Sequence, residues 1–122
     1  MTKILIVDDS PAEVRLMQSV LDRAGYSSVA VHDPTRLEQV IEAEQPSLIL
    51  LDVVMPQRNG FQACRDLKGH AEYSRIPVVM VTSKSSESDR FWGKEQGADG
   101  YVAKPFSSDE LLRTVRSLVG KK

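Results

Sequence analysis

The sequence predicts an α/β fold: a single domain in which a parallel five-stranded sheet is doubly wound by helices covering both faces. Three observations lead there. Short apolar runs recur along the chain, such as Ile4-Leu5-Ile6-Val7 and Leu48-Ile49-Leu50-Leu51, each the length of a strand rather than of a core helix. Between them lie segments of helical periodicity with their own start signals, and this alternation calls for parallel pairing through right-handed crossovers. Several of the runs end abruptly on a polar group, namely Asp8, Asp52, Thr82 and Lys104, at what would be the ligand-binding edge of an open α/β sheet.

The organising stretch is Ser47 to Pro56. Its apolar run is bounded by Pro46 on one side and by Pro56 and Asn59-Gly60 on the other, and it reads as a strand buried on both faces with Asp52 at its mouth. Taken from the start, Lys3 to Val7 is the first strand and closes on Asp8-Asp9. Ser10, Pro11 and Glu13 then supply an N-cap hydroxyl, a proline at the first helical position and a capping-box glutamate. The first helix carries Val14, Met17, Leu21 and Ala24 on one stripe, and Gly25 ends it. Ser28 to Val31 is a weaker strand, suited to an edge. Asp33-Pro34 caps a second helix with Leu37, Val40 and Ile41 on one face, ending near Gln45-Pro46.

After the central strand, Gly60 to Lys68 is a third helix carrying Phe61, Cys64 and Leu67, followed by a polar loop through Gly69 and Tyr73. Pro77 to Thr82 is the fourth strand. Ser86 and Asp89 open a fourth helix whose only strong apolar residues are Phe91 and Trp92. Gly93 in its middle costs about 1 kcal/mol relative to alanine, so this helix is expected to be the least stable. Gly100 to Ala103 is the fifth strand. Ser107 and Glu110 form a second capping box before a fifth helix with Leu111, Leu112, Val115, Leu118 and Val119 on its stripe, and the chain closes on Gly120-Lys121-Lys122. The strand order 2-1-3-4-5 is not fixed by this pattern alone, but it sets strands 1 and 3 side by side, where Asp8, Asp9 and Asp52 meet Thr82 and Lys104.

Composition narrows the function. The 122 residues suit one core that buries roughly two thirds of the unfolded surface. A net charge of −1 without any Lys/Arg run argues against nucleic-acid binding, and the apolar runs are too short to span a membrane. No signal peptide precedes Asp8, and a single Cys64 cannot form an internal disulfide, so a cytoplasmic protein is expected. Cys64 shares a helical stripe with Phe61 and Leu67 and reads as a buried hydrophobe rather than a reactive thiol.

Three carboxylates at one sheet edge repel unless something neutralises them, and hard oxygen ligands suit magnesium. Lys104 adds a fixed positive charge and Thr82 a hydroxyl donor. A cation, an ammonium and a hydroxyl aimed at one carboxylate are what a phosphoryl group on Asp52 requires, with Asp52 as nucleophile. Taken singly, each residue has a plain alternative: a turn-forming aspartate, a strand-end threonine, a solvated lysine. The combination at strand ends is what gives the chemistry weight.

Val7-Asp8-Asp9-Ser10, Leu51-Asp52-Val53-Val54-Met55-Pro56 with Asn59-Gly60, Val81-Thr82-Ser83, and Gly97-Ala98-Asp99-Gly100-Tyr101-Val102-Ala103-Lys104-Pro105-Phe106 resemble the receiver domains of two-component response regulators, the CheY-like family with its flavodoxin-like fold. The resemblance implies that residues 1–122 form one receiver domain without an output domain, and that Asp52 accepts phosphate from a histidine kinase. It implies that Asp9, Asp52 and the backbone carbonyl of Val54 bind magnesium, with Asp8 beside them. Thr82 and Lys104 would bind the phosphoryl oxygens, Tyr101 would be the aromatic whose rotamer follows Thr82, and Lys104-Pro105 looks like the family's cis peptide. Such a protein is not an enzyme beyond its own phosphoryl transfer and dephosphorylation.

Within the family, Thr82-Ser83-Lys84 through Asp89-Arg90-Phe91-Trp92-Gly93 and Gln96-Gly97-Ala98 resemble the stand-alone regulators of type IV pilus (twitching) motility and phototaxis. Output would then pass through the surface of helix 4, strand 5 and helix 5 to a downstream motility or signalling protein, with the chain a monomer. Two alternatives stay open. An aspartate-nucleophile phosphatase would want a second aspartate two residues after Asp52, where Val54 stands. A phosphate-independent interaction module on the same fold would not need Asp9, Asp52 and Lys104 together. A nucleotide-binding enzyme is disfavoured, since no glycine-rich phosphate loop follows any strand.

Overall fold

In the computed structural model, residues 2–119 are described; Met1 and positions 120–122 of the expected domain, including the closing Gly120-Lys121-Lys122, lie outside the described residues. Lys3–Val7 forms β1, Pro11–Arg23 α1, Ser27–Val31 β2, Leu37–Glu44 α2, Leu48–Leu51 β3, Gly60–Lys68 α3, Val78–Thr82 β4, Glu87–Glu95 α4, Gly100–Ala103 β5 and Ser108–Val119 α5. All strands pair in parallel, in the order β2-β1-β3-β4-β5. This is the doubly wound, flavodoxin-like topology expected from the alternation of runs. The edge position of β2 agrees with its small, weakly apolar residues.

Every residue of β3 and β4 is buried, because successive side chains serve opposite faces and both faces carry helices. On one face Leu5, Val7, Ile49, Leu51, Val78 and Met80 pack with Leu37 and Ile41 of α2 and Ala63, Cys64 and Leu67 of α3. On the other, Ile4, Ile6, Leu48, Leu50, Val79, Val81 and Val102 pack with Val14, Met17 and Leu21 of α1 and Leu111 and Val115 of α5. The apolar runs therefore do double duty, closing two cores with one sheet. No helix among the described residues is long and apolar enough to cross a membrane.

Three local departures from the expectations have physical causes. Asp33 caps a single 3-10 turn, Pro34–Arg36, through its carboxylate oxygen on the Thr35 amide at 3.0 Å and the Thr35 hydroxyl at 2.7 Å, and only then does α2 begin. The Ser10 hydroxyl accepts from the Glu13 amide, but the Glu13 side chain turns to Lys104, at 3.7 Å, so the capping box is only half formed. Tyr73, assigned to a polar loop, is buried against the α2–α3 face, with its hydroxyl donating to Glu42 at 2.6 Å.

Candidate functional site

The parallel register pairs Val7 with Leu51, so the residues that follow, Asp8 and Asp52, emerge side by side at the carboxyl ends of β1 and β3. This is the point where the strand order reverses. The Asp52 amide donates to the Val7 carbonyl at 2.9 Å, which extends the ladder by one residue and holds the nucleophile candidate at the sheet edge. Thr82 closes β4, fully buried, and the Lys104 amide donates to the Thr82 carbonyl at 2.9 Å just beyond β5. The Lys104–Pro105 peptide bond is cis.

Gly60, the first residue of α3, makes the close fit possible. A Cβ there would lie 2.2 Å from the Asp52 carbonyl oxygen and 2.8 Å from the Val53 Cα, so no other residue fits without moving the backbone under Asp52. Its amide donates to the Val53 carbonyl at 2.8 Å. Asn59 and Gln62 complete a reciprocal capping box that starts α3 at this point.

Asp8, Asp9 and Asp52 each offer a carboxylate oxygen within 4.8 Å of the others. Asp8 and Asp52 are buried and Asp9 is exposed. The carboxylates are not equivalent. Asp8 accepts from the Lys104 ammonium at 2.7 Å and from the Ser10 amide at 3.0 Å. Asp52 has a long 3.4 Å contact from the Val54 amide, and Lys104 stands 3.7 Å away.

Burial, helped by the charge of Asp8, pushes the Asp52 carboxyl above the usual carboxylate range against the opposing pull of Lys104 and the Thr82 hydroxyl. Burial works against the Lys104 ammonium, yet the hydrogen bond to Asp8 and the charges of Asp52, Asp8 and Glu13 outweigh it and raise its pKa. The resting lysine is therefore shared among carboxylates. Hard oxygen donors converging on one point, with a solvent-exposed side at Asp9, fit a small divalent cation that keeps part of its water shell.

Two residues in and around this site escaped the sequence reading. Glu13 stands near Lys104, a role hidden by its plain place in a capping motif. Arg58 fastens the loop after β3, donating to Glu38 at 2.6 and 2.9 Å, to the Pro34 carbonyl at 2.9 Å and to Asp66 at 3.0 Å. No local pattern announces a residue whose partners lie on two different helices. Tyr101, on β5, places its hydroxyl on the Lys84 carbonyl, and the Lys84 amide donates to the Thr82 hydroxyl at 3.2 Å.

Fold and site together define a doubly wound α/β domain with an acidic, cation-compatible ligand site at its topological switch point. The sequence matches the response regulator receiver domain over residues 4–116, and the chain belongs to that family. It is 41% identical to Protein PilH of Pseudomonas aeruginosa, over 98% of each chain. Among solved structures it resembles the Vibrio cholerae chemotaxis protein CheY4, with a TM-score of 0.89, 30% identity and coverage of 97% of this chain and 98% of that one. It also resembles the receiver domain of the sensor histidine kinase PA1611 of Pseudomonas aeruginosa, with a TM-score of 0.88, 28% identity and 98% of each chain covered. That structure has a magnesium ion coordinated in its active site cleft.

Proposed function

We propose that the chain is a two-component response regulator that accepts a phosphoryl group on Asp52 from a histidine kinase. The observation that carries this reading is the buried, poorly satisfied Asp52 carboxylate at the mouth of β3, within 4.8 Å of Asp8 and Asp9 oxygens and 3.7 Å from the Lys104 ammonium. In the transfer a carboxylate oxygen of Asp52 attacks phosphorus, an O–P bond forms as the N–P bond of a phosphohistidine breaks, and the departing imidazole takes up a proton. Asp9, Asp52 and the Val54 carbonyl, with Asp8 beside them, would hold magnesium, which supplies positive charge against the phosphoryl oxygens.

Lys104 then meets one phosphoryl oxygen with its ammonium and Thr82 another with its hydroxyl. Lys104 needs only to trade the Asp8 carboxylate for a phosphoryl oxygen on Asp52, since it already lies between the two. The chain catalyses only its own phosphoryl transfer and dephosphorylation. Movement of Thr82 toward the phosphoryl group is relayed to Tyr101, and the α4–β5–α5 surface carries the signal to a downstream motility or signalling protein. The motif resemblance to regulators of motility and taxis and the likeness to Protein PilH support that output. The receiver acts as a cytoplasmic monomer.

Intact-mass measurement tests the central step. Incubation with acetyl phosphate and magnesium is expected to add one phosphoryl group, with none added in chelator or in Asp52→Asn. An equal gain in Asp52→Asn would sink the assignment.

A further inference from the structure

Helix α4 is turned the opposite way from an ordinary amphipathic helix. Its buried residue is Gly93, while Phe91 and Trp92 are 61% and 52% exposed. Single exposed hydrophobics are normal on a protein surface, but a contiguous patch calls for an explanation. Here the two side chains share with the half-buried Phe61 of α3 an open groove of about 510 Å³, completed by Glu87, Ser88 and Asp89. Two of the three phenylalanines and the only tryptophan of the chain thus gather in one place, with Phe61 at the edge of the α2–α3 core and Phe91 and Trp92 outside both cores.

The charges along this groove have one sign. Glu87 and Asp89 line it and no basic residue does. The Asp89 carboxylate accepts from the Ser86 amide at 3.2 Å, and its hydrogen bonds to Ser86 hold it below the usual carboxylate range, so it stays ionised. Among the described residues no cation lies within ion-pair distance of Glu87. The basic residues of α4, Arg90 and Lys94, lie on the other flank with Tyr101 and Asp99, and the Arg90 guanidinium sits 5.2 Å from the centre of the Tyr101 ring. The helix is thereby divided into an aromatic, acidic flank toward α3 and a basic flank toward β5.

We propose that the α3–α4 groove is a docking site for a basic amphipathic helix of a partner protein. Aliphatic residues of that helix cover Phe61, Phe91 and Trp92, while its Lys or Arg side chains meet Glu87 and Asp89, with an arginine also able to stack on Trp92. A second copy of this chain fits less well, because a two-fold contact would set the acidic rim against itself. Anionic lipid is repelled by the same carboxylates. The groove exists with Asp52 unmodified, so docking here goes beyond the phosphoacceptor reading and does not depend on it.

Two model peptides test this, with identical leucine placement and with either lysine or glutamate at every polar position, titrated into the full chain and into Asp52→Asn while the fluorescence of Trp92 is followed. The lysine peptide is expected to give a saturable blue shift with both proteins and the glutamate peptide none. Phe91→Ala and Glu87→Lys, both at exposed positions, should each weaken the lysine peptide at least about tenfold. Equal responses to the two peptides, or undiminished binding by both variants, overturn the proposal. Sedimentation showing that the chain self-associates, and that Phe91→Ala abolishes this, would assign the groove to a second copy instead.

Discussion

Asp8 and Asp52 are both buried, but only Asp8 has an ammonium in full contact. Burial of Asp52 and the neighbouring charge of Asp8 raise its pKa above the ordinary 3.8 in the folded chain. A carboxyl whose folded pKa is raised contributes its stability below the unfolded value and loses it as pH rises through the folded value. At neutral pH, without metal, the ionised Asp52 is therefore a net liability. Asp52→Asn in chelator at pH 7 is expected to raise the urea midpoint. The gain should fade as pH falls toward the ordinary carboxylate value. Asp9→Asn should gain less, because Asp9 is exposed and water already screens it. A lower midpoint for Asp52→Asn would mark Asp52 as a structural acceptor. The sequence placed these three carboxylates together but treated them as one repelling cluster. Which of them Lys104 neutralises was not legible, because that partner lies 96 positions away and the choice is made by tertiary geometry.

At the scale of the element, α4 shows why periodicity reads strands better than this helix. β3 and β4 are buried on both faces, so an unbroken apolar run suffices to identify them. In α4 the only strong apolar residues, Phe91 and Trp92, do not tell which side faces inward; the space beneath the helix is filled by the Tyr101 ring, and it is Gly93 that faces it. A Cβ on Gly93 would lie 2.9 Å from one carbon of the Tyr101 ring and 3.1 Å from another. The ring is held in place by Arg90 above it and by its hydroxyl on the Lys84 carbonyl. Alanine would add about 1 kcal/mol of helix propensity at this position, but it must displace a ring fixed on two sides. Gly93→Ala is therefore expected to leave the denaturation midpoint unchanged or lower it, and to alter the near-ultraviolet circular dichroism of the tyrosines. A rise equivalent to the full propensity gain, with the aromatic signal intact, would show that the ring yields freely. The same glycine that weakens the helix on its own makes its seat on β5.

At the scale of the molecule, the site is tied to its surroundings unequally. On one side Arg58 bonds the loop after β3 to Glu38 of α2, to Asp66 of α3 and to the Pro34 carbonyl, and α1 and α2 bury their stripes in separate cores. On the other side runs a single file of few contacts. The Thr82 hydroxyl accepts from the Lys84 amide, the Lys84 carbonyl accepts from Tyr101, and the Tyr101 ring supports α4 at Gly93. If Thr82 is drawn toward a phosphoryl group, its bond to Lys84 is the first to be disturbed, and the loop, the ring and the helix follow in that order. A ligand shifts such an equilibrium only by its differential contacts in the two states, and Thr82 supplies that difference. Beryllium fluoride with magnesium, as a phosphoryl mimic, is therefore expected to change the amide exchange of residues 83–101 and the fluorescence of Trp92. The bodies of α1 and α2 should exchange as before, since none of these contacts involves a residue of either helix. Hydrogen exchange read by mass spectrometry, with Asp52→Asn as the control, gives the result directly. Uniform protection of the whole domain, or a change confined to residues 52–60, would refute the relay and leave α4 as a passive docking face.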